Sequence, residues 1–337
     1  MDFTELDGEQ RRELINTQQT YSGWREAAQS FRHSHRGRMR WKTVNGRQYL
    51  YRVTPTSGGR TIEQSLGRRD DRTEQLQGDY QAARKRLQQR KSRLRDRLEK
   101  RAPVNRALGI GFMPRIAAKI LRRLDDADLL GTKLIVVGTH SLYAYAARAG
   151  VVFDGALTAT SDIDLLFDVR RRMSLAIAPD IQTRGILGLL HEVDKSFTHR
   201  RDSFRAENDG GYLVDLIRPF EKDEPSASVA GLADNDLTPV AILGLEWLMN
   251  APRFEEIAVA EDGLPVWLSC VDPRVYAVYK QWLATKAEGR EAIKRRRDGA
   301  QAKAVAHLAT EYLRMPLQAK ELTALPIELV KAAKLIA

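Results

Sequence analysis

Three stretches decide the fold of this chain: LIVVGTHSLYAYAARAG at residues 134–150, TSDIDLLFD at 160–168 and GYLVDLI at 211–217. The first begins with four consecutive apolar residues, which predict a buried strand that ends at Gly138-Thr139. The residues that follow have the composition of a helix. A glycine and a hydroxyl residue between a buried strand and a helix are the first indication of a functional site.

The neighbouring segments complete a core of strands and helices. The apolar patterns predict strands over 134–137, 162–167 and 212–217, with helices over 139–149 and 180–191. Strands that alternate with helices in this way predict a mixed α/β sheet. The fold class expected for this core is therefore α/β, or α+β if the added segments contribute antiparallel strands.

Two strands of this sheet carry acidic residues among apolar ones. Asp162 and Asp164 are two residues apart, so their side chains point to the same face of the strand, and Asp215 lies between apolar neighbours on the third strand. Adjacent carboxylates repel each other unless a cation lies between them, and their hard oxygen atoms suit Mg²⁺ or Mn²⁺. The three residues predict a metal site for phosphoryl chemistry.

The turn after the first strand is suited to phosphate binding. Gly138 lets the backbone approach a phosphate closely, the helix N-terminus offers free N–H groups, and Thr139 or Ser141 adds a hydroxyl. The turn is neither a GxxxxGK[ST] loop nor a GxGxxG dinucleotide fingerprint. By itself it predicts only a phosphate-binding turn.

Length and composition limit the class of protein. The chain has 337 residues, which is enough for two or three structural units, and a single cysteine, Cys270, which excludes an internal disulfide and a multi-cysteine zinc site. Reducing conditions suit such a chain, so a cytoplasmic location is predicted. The start of the chain lacks an apolar signal core, and no apolar run approaches the length of a membrane span.

The positive charge is concentrated before the core. Residues 1–130 contain 29 Lys and Arg against 16 Asp and Glu, whereas the whole chain has a net charge of only +11. Within this region MRWKTVNGRQYLYR predicts a hairpin that turns at Asn45-Gly46, and residues 73–101 predict a long basic helix that Pro103 ends. Such a surface favours RNA, tRNA included, as a partner. A solvated basic face, or a hairpin that packs its aromatic residues inward, explains the same pattern without a partner.

The long helix also has a narrow apolar stripe, with Leu76, Tyr80, Leu87, Leu94 and Leu98 at nearly heptad spacing. A stripe of this width predicts packing against one other helix. That helix belongs either to the same chain or to a second copy, so a homo-oligomer formed through residues 73–101 is one expectation.

The pattern divides the chain into three regions. A basic N-terminal region with the hairpin and the long helix covers 1–125, the α/β core covers 126–225, and a hairpin with a helical subdomain covers 226–337. In the last region Thr238-Pro239 predicts the start of a helix, and FEEIAVAEDGLPVWLS predicts a hairpin that turns at 261–263.

The order of the core motifs resembles the nucleotidyltransferase-fold superfamily, which includes DNA polymerase β and the CCA-adding enzymes. The resemblance rests on Gly138-Thr139, then Asp162-Ile163-Asp164, then Val214-Asp215-Leu216. With the hairpin and the stretch DPRVYAVYKQWLA…KRRRDGAQAKAV, it extends over about residues 37–310 to a bacterial branch whose acceptor is unassigned.

The resemblance implies a role for each matching residue. Asp162 and Asp164 are expected to bind the divalent ions that bridge a nucleoside triphosphate, with ATP as one candidate. Asp215 is expected to complete the metal site and promote deprotonation of the attacking hydroxyl, while Gly138 and Thr139 hold phosphates. Basic residues of the C-terminal helices would contact the triphosphate, and the candidates are Lys280, Lys294, Arg296 and Arg297, with Asp298 and Gln301 as orienting partners.

The function expected from these observations is a metal-dependent nucleotidyltransferase. It would move a nucleoside monophosphate from an NTP to a hydroxyl of RNA, of a protein or of a small molecule, and release pyrophosphate. The alternative is a protein with the same fold that only binds nucleic acid or nucleotide, for example in a toxin–antitoxin or defence pair. A nuclease that uses the same carboxylates leaves the Gly138-Thr139 turn without a role.

Overall fold

The computed structural model describes residues 2–55, 60–168, 179–199, 204–220, 236–285, 289–333 and 336. The N-terminal part contains, in chain order, β1 (Phe3–Glu5), α1 (Gly8–Ser34), β2 (Arg38–Val44), β3 (Arg47–Pro55), β4 (Thr61–Arg68), α2 (Asp71–Ala107) and α3 (Arg115–Asp126). Both long helices start at an aspartate whose carboxylate accepts backbone N–H groups, Asp7 for α1 and Asp70 for α2. These caps satisfy donors that the first turn of a helix leaves unpaired.

The remaining elements follow in two groups. The middle of the chain contains β5 (Leu134–Val137), α4 (Ser141–Ala149), β6 (Val151–Phe153), α5 (Gly155–Thr158), β7 (Asp162–Phe167), α6 (Pro179–Val193), β8 (Thr198–His199), β9 (Arg205–Glu207) and β10 (Leu213–Pro219). The C-terminal part contains β11 (Val240–Ile242), α7 (Leu245–Asn250), β12 (Arg253–Val259), β13 (Pro265–Val271), α8 (Pro273–Thr285), α9 (Ala292–His307) and α10 (Ile327–Ala332).

A mixed sheet forms the centre of the molecule, in the order β12-β13-β5-β7-β10-β9-β8, with β11 also paired to β10. β7 and β10 are parallel, whereas β5 and β7 are antiparallel. The four residues of β5 are all buried, and this strand lies between β13 and β7 in the middle of the sheet. The predicted α/β class and the three core strands are confirmed. The sheet takes strands from both sides of residue 225, where the sequence suggested a boundary, and the division into three regions stays a prediction.

The predicted hairpin forms, and a third strand extends it. Asn45 and Gly46 both have positive φ, 49° and 73°, as a two-residue turn between β2 and β3 requires. β4 then pairs with β3 to give a separate three-stranded sheet. The sequence did not indicate β4, because most of its side chains are polar and exposed. Residues 56–59, part of the stretch between these strands, lie outside the described residues.

The prediction that Pro103 ends the long helix is wrong, because α2 continues to Ala107. Proline removes one helical hydrogen bond and crowds the preceding turn. Tertiary bonds on both sides compensate here: Arg101 pairs with Glu13, and Asn105 donates to the carbonyl of Gly263 at 2.7 Å. The end of the helix is fixed to the rest of the fold, and the local preference of proline is overridden.

Part of the apolar stripe of α2 is covered within the chain: Tyr80 and Leu98 are buried, whereas Leu76 is 42% exposed. α1 packs along α2, with Gly23 of α1 beside the side chain of Leu94, and Arg90 of α2 pairs with Glu26 at 2.8 Å. α1 is therefore a partner of this stripe, and a homo-oligomer formed through residues 73–101 stays a prediction.

The prediction that a helix starts at Thr238-Pro239 is also wrong. Residues 240–242 instead form β11, which pairs in parallel with Ile217–Pro219 of β10, and α7 begins only after Gly244. Backbone bonds to the edge of the sheet outweigh the local helix-start signal. The following hairpin, β12 and β13, forms as predicted and turns at Gly263, where φ is 78°.

Candidate active site

The turn that ends β5 brings the backbone close to a carboxylate. Gly138 has a φ of +69° and starts a single turn of 3-10 helix, Gly138–His140, that leads into α4. A Cβ atom built on Gly138 would overlap Oδ2 of Asp164 and lie 3.2 Å from its Cγ atom. Only glycine fits, because both the left-handed conformation and the contact exclude a side chain.

Three carboxylates meet beside this turn. Val137 is the register partner of Asp164 on β7, and Asp164 is in turn the partner of Asp215 on β10. Asp162 lies two residues before Asp164 and projects to the same face. One carboxylate oxygen from each of Asp162, Asp164 and Asp215 lies within 4.8 Å of the other two. The sequence predicted this triad, and the pairing of β7 with β10 explains how it assembles.

The triad carries a strong electrostatic conflict. Burial, followed by the charges of Asp162 and Asp215, raises the pKa of Asp164 to about 7, while Lys280 and Arg290 oppose the shift. The raised pKa reflects repulsion among three negative charges, which a divalent cation between them would relieve. Carboxylate oxygens are also hard ligands of the kind that such ions prefer. These residues therefore fit Mg²⁺ or Mn²⁺.

Two of the acids have partners within the protein. The hydroxyl of Thr160 donates to Asp162. Arg205 on β9 donates from Nε and from NH2 to the two oxygens of Asp215, at 2.6 Å each. Arg205 was not among the predicted site residues, because β9 has only three residues and nothing in its sequence indicates that it pairs with β10 at Asp215.

The two hydroxyl residues of the turn have different surroundings. Thr139 accepts a hydrogen bond from Nε2 of Gln301 at 3.2 Å, and the same amide donates to the carbonyl of Leu157 at 2.7 Å. Ser141 is fully buried, and its hydroxyl donates to the carbonyl of Val136 at 3.3 Å. Ser141 is therefore held by the backbone of β5, whereas Thr139 is held by a side chain of α9.

The basic candidates of the C-terminal helices are divided between the interior and the surface. Lys280 is buried and pairs with Asp298 at 2.8 Å, and Arg290 pairs with the same carboxylate. Burial, with a smaller contribution from the charge of Arg290, lowers the pKa of Lys280, and Asp298 opposes this shift by stabilising the charge of Lys280. Arg297 donates to the carbonyl of Ala159, just before β7, at 3.0 Å. Lys294 instead pairs with Glu291 at the surface at 3.6 Å, and Arg296 is exposed.

A buried histidine completes this side of the site. His140 shares a hydrogen bond of 3.1 Å with the hydroxyl of Tyr212. Burial lowers the pKa of His140 to about 4, although the charge of Asp162 acts in the opposite direction. The imidazole is therefore neutral at pH 7.

The mixed sheet thus brings three carboxylates on neighbouring strands to a glycine turn. A profile described as nucleotidyltransferase matches residues 115–326, and the chain belongs to this family. The match begins at α3, so the N-terminal sheet and the α1–α2 pair lie outside it. Searches of curated proteins and of solved structures found no match. Within the described residues, no helix has the length and apolar character to cross a membrane.

Proposed function

We propose that this protein is a metal-dependent nucleotidyltransferase that moves a nucleoside monophosphate from an NTP to a hydroxyl acceptor and releases pyrophosphate. One observation carries the proposal: Asp162, Asp164 and Asp215 converge beside a glycine turn that has no room for a side chain. The carboxylates would hold the ions, and the turn would leave the phosphates access to backbone N–H groups. Membership of the nucleotidyltransferase family supports the same reaction.

The residues of the triad have distinct proposed tasks. Asp162 and Asp164 would hold Mg²⁺ or Mn²⁺, and Asp215 would complete the site and orient the acceptor hydroxyl for loss of its proton. A bound divalent ion would supply charge neutralisation at the phosphate oxygens and a lower pKa for the acceptor hydroxyl. Thr139, held by Gln301, would position a phosphate through its hydroxyl together with the N–H groups of the turn.

The basic residues near the triad would bind the phosphates and neutralise their charge. Arg297 is anchored at the carbonyl of Ala159 and is well placed to bind a phosphate as well. Lys280 would act from within the protein, because its pair with Asp298 keeps a positive charge close to Asp164. The surface pair of Lys294 with Glu291 gives Lys294 the weakest support among the predicted triphosphate ligands.

RNA, tRNA included, is the acceptor that we favour. The support comes from the excess of positive charge in residues 1–130 and from the exposed basic side chains of α2, such as Lys85, Arg86, Arg93 and Arg97. The β2–β4 sheet gives less support, because Glu63 pairs with both Arg40 and Lys42. The reducing cytoplasm predicted from the sequence, with Cys270 as a buried free thiol, belongs to the same proposal.

The proposal is tested by transfer of label from each α-labelled NTP, with Mg²⁺ or Mn²⁺, to total RNA, to protein and to small hydroxyl compounds. Asp162→Asn and Asp164→Asn are the inactive references, and Asp79→Asn on the exposed side of α2 is the matched control. We expect labelling by the wild type and by Asp79→Asn only. Wild-type protein that labels no acceptor with any NTP, yet retains RNA without divalent ions, would instead indicate a binding protein.

A further inference from the structure

The guanidinium of Arg205 holds the third carboxylate of the triad completely. Its Nε and NH2 groups donate to separate oxygens of Asp215 at 2.6 Å each, which is the two-pronged geometry that makes arginine–carboxylate pairs strong. β9 and β10 enforce this arrangement, since Arg205 and Asp215 are direct register partners. The contact therefore follows from the sheet and not from a chance rotamer at the surface.

The two partners differ in how readily they can leave the pair. The side chain of Asp215 is 8% exposed, whereas that of Arg205 is 41% exposed. A buried carboxylate that loses its cation is costly unless another cation replaces the first. The guanidinium is the more exposed partner, and it also contacts the ring of Phe204, whose centroid lies 5.3 Å from its Cζ atom. The less costly way to open the pair is for Arg205 to exchange its contacts for water while a different cation takes over Asp215.

We propose that Arg205 is a positioning residue that competes with a divalent ion for Asp215, so that the third carboxylate joins the metal site only after the guanidinium has moved away. This inference rests on the proposed function for the nature of the ion. It goes beyond that function because it makes metal binding by Asp215 depend on the position of Arg205. Asp162 and Asp164 would be available to the ion from the start, and Asp215 only after Arg205 has left it.

Competition fits the geometry better than support does. Arg205 binds both oxygens of Asp215, and its positive charge repels an approaching dication. Hydrogen bonds to Asp215, followed by the charges of Asp215, Asp162 and Asp164, raise the pKa of Arg205 above its ordinary value, although burial opposes this shift. Arg205 thus already acts as the counter-cation of the triad.

The test measures Mn²⁺ binding to the nucleotide-free protein from the electron paramagnetic resonance signal of free Mn²⁺. Arg205→Gln removes the competing charge and keeps a polar side chain, and Arg205→Lys keeps the charge but loses the two-pronged contact. We expect Arg205→Gln to bind Mn²⁺ about tenfold more tightly than the wild type, because the repulsion between the guanidinium and the ion is removed, with Arg205→Lys in between. Arg12→Gln, which removes an exposed charge from α1, should match the wild type. Unchanged or weaker binding by Arg205→Gln would overturn the proposal.

Two further measurements separate this result from a folding defect and from the proposed function. Mn²⁺ should raise the Tm of Arg205→Gln by more than that of the wild type, whatever the starting stability of the variant. The gain should vanish in Arg205→Gln/Asp215→Asn, because the contested ligand is then absent. Failure of NTP transfer with the Mn²⁺ difference intact would refute only the proposed function, whereas normal transfer without that difference would refute only the competition.

Discussion

Gly138 and Asp164 occupy one shared space: the missing side chain of Gly138 is what leaves room for Oδ2 of Asp164. The glycine ends a buried strand, and the aspartate lies on the antiparallel neighbour of that strand, directly opposite Val137. The turn and the triad are therefore a single structural unit. A change in the turn must displace a carboxylate, and this coupling can be tested.

Gly138→Ala should disrupt the site more than it disrupts the fold. The new Cβ overlaps Asp164, and alanine is strained at a φ of +69°, so we expect a loss of roughly 1–3 kcal/mol in the free energy of unfolding. Nucleotidyl transfer should fall at least 100-fold, because small misplacements of catalytic groups are that costly. Gly109→Ala is the control: φ there is +65°, and nothing lies within 4 Å of the added Cβ. Equal loss of activity in both variants would mean that backbone strain, and not the displacement of Asp164, is responsible.

Asp164→Asn should stabilise the metal-free protein at neutral and higher pH. The folded state holds the Asp164 proton up to a pKa of about 7, whereas the unfolded chain releases it near 4. The folded state thus binds more protons than the unfolded state between these pH values. The contribution of Asp164 to the free energy of unfolding therefore falls as the pH rises from 4 to 7. With EDTA present, the variant should gain roughly 2–4 kcal/mol at pH 8 and little at pH 4.

Urea melts at both pH values measure this effect, with Asp79→Asn as the control for loss of an exposed negative charge. Divalent ions should reverse the order, because they stabilise only a protein that retains its ligands. A wild type that is more stable than Asp164→Asn at pH 8 in EDTA would show that the triad is not in electrostatic conflict.

The sequence predicted the centre of the site better than its surroundings. The alternation of Asp162, Ile163 and Asp164 determines which side chains share a face, so a local pattern is enough to place the two carboxylates together. Lys280 and Asp298 are 18 positions apart, and only the family resemblance made them candidates. The pairing of Arg205 with Asp215 depends on strand register, which joins residues 10 positions apart without any periodic signal. For the same reason Pro103 misled: tertiary bonds at Arg101 and Asn105 decide the length of α2.

Gln301 should be required to hold the turn in place. Its amide connects α9 to Thr139 and to the carbonyl of Leu157, and it is fully buried. Gln301→Leu keeps most of the volume but leaves the carbonyl without that donor, so we expect a loss of about 1–3 kcal/mol in stability. The KM for the NTP should rise, because Thr139 is no longer held. Gln281→Leu on α8 is the control, and an unchanged KM in Gln301→Leu would show that Thr139 needs no support from α9.

His140 should make the protein sensitive to acid in a defined pH range. The unfolded chain takes up a proton at His140 near pH 6.5, but the folded state resists protonation down to a pKa of about 4 because the ring is buried. The unfolded state therefore binds more protons between these values, and the free energy of unfolding falls as the pH drops from 6.5 to 4, by up to roughly 3 kcal/mol.

Asp164 contributes an opposite slope over the same range, so the measurement belongs in the Asp164→Asn background. Adding His140→Asn should flatten the dependence of the urea midpoint on pH between 6.5 and 4, because asparagine takes up no proton in this range. His33→Asn, at a side chain that is 63% exposed, should leave the slope as it was. Parallel curves with and without His140→Asn would place the acid sensitivity elsewhere in the chain, and the neutral His140–Tyr212 pair would then have no part in it.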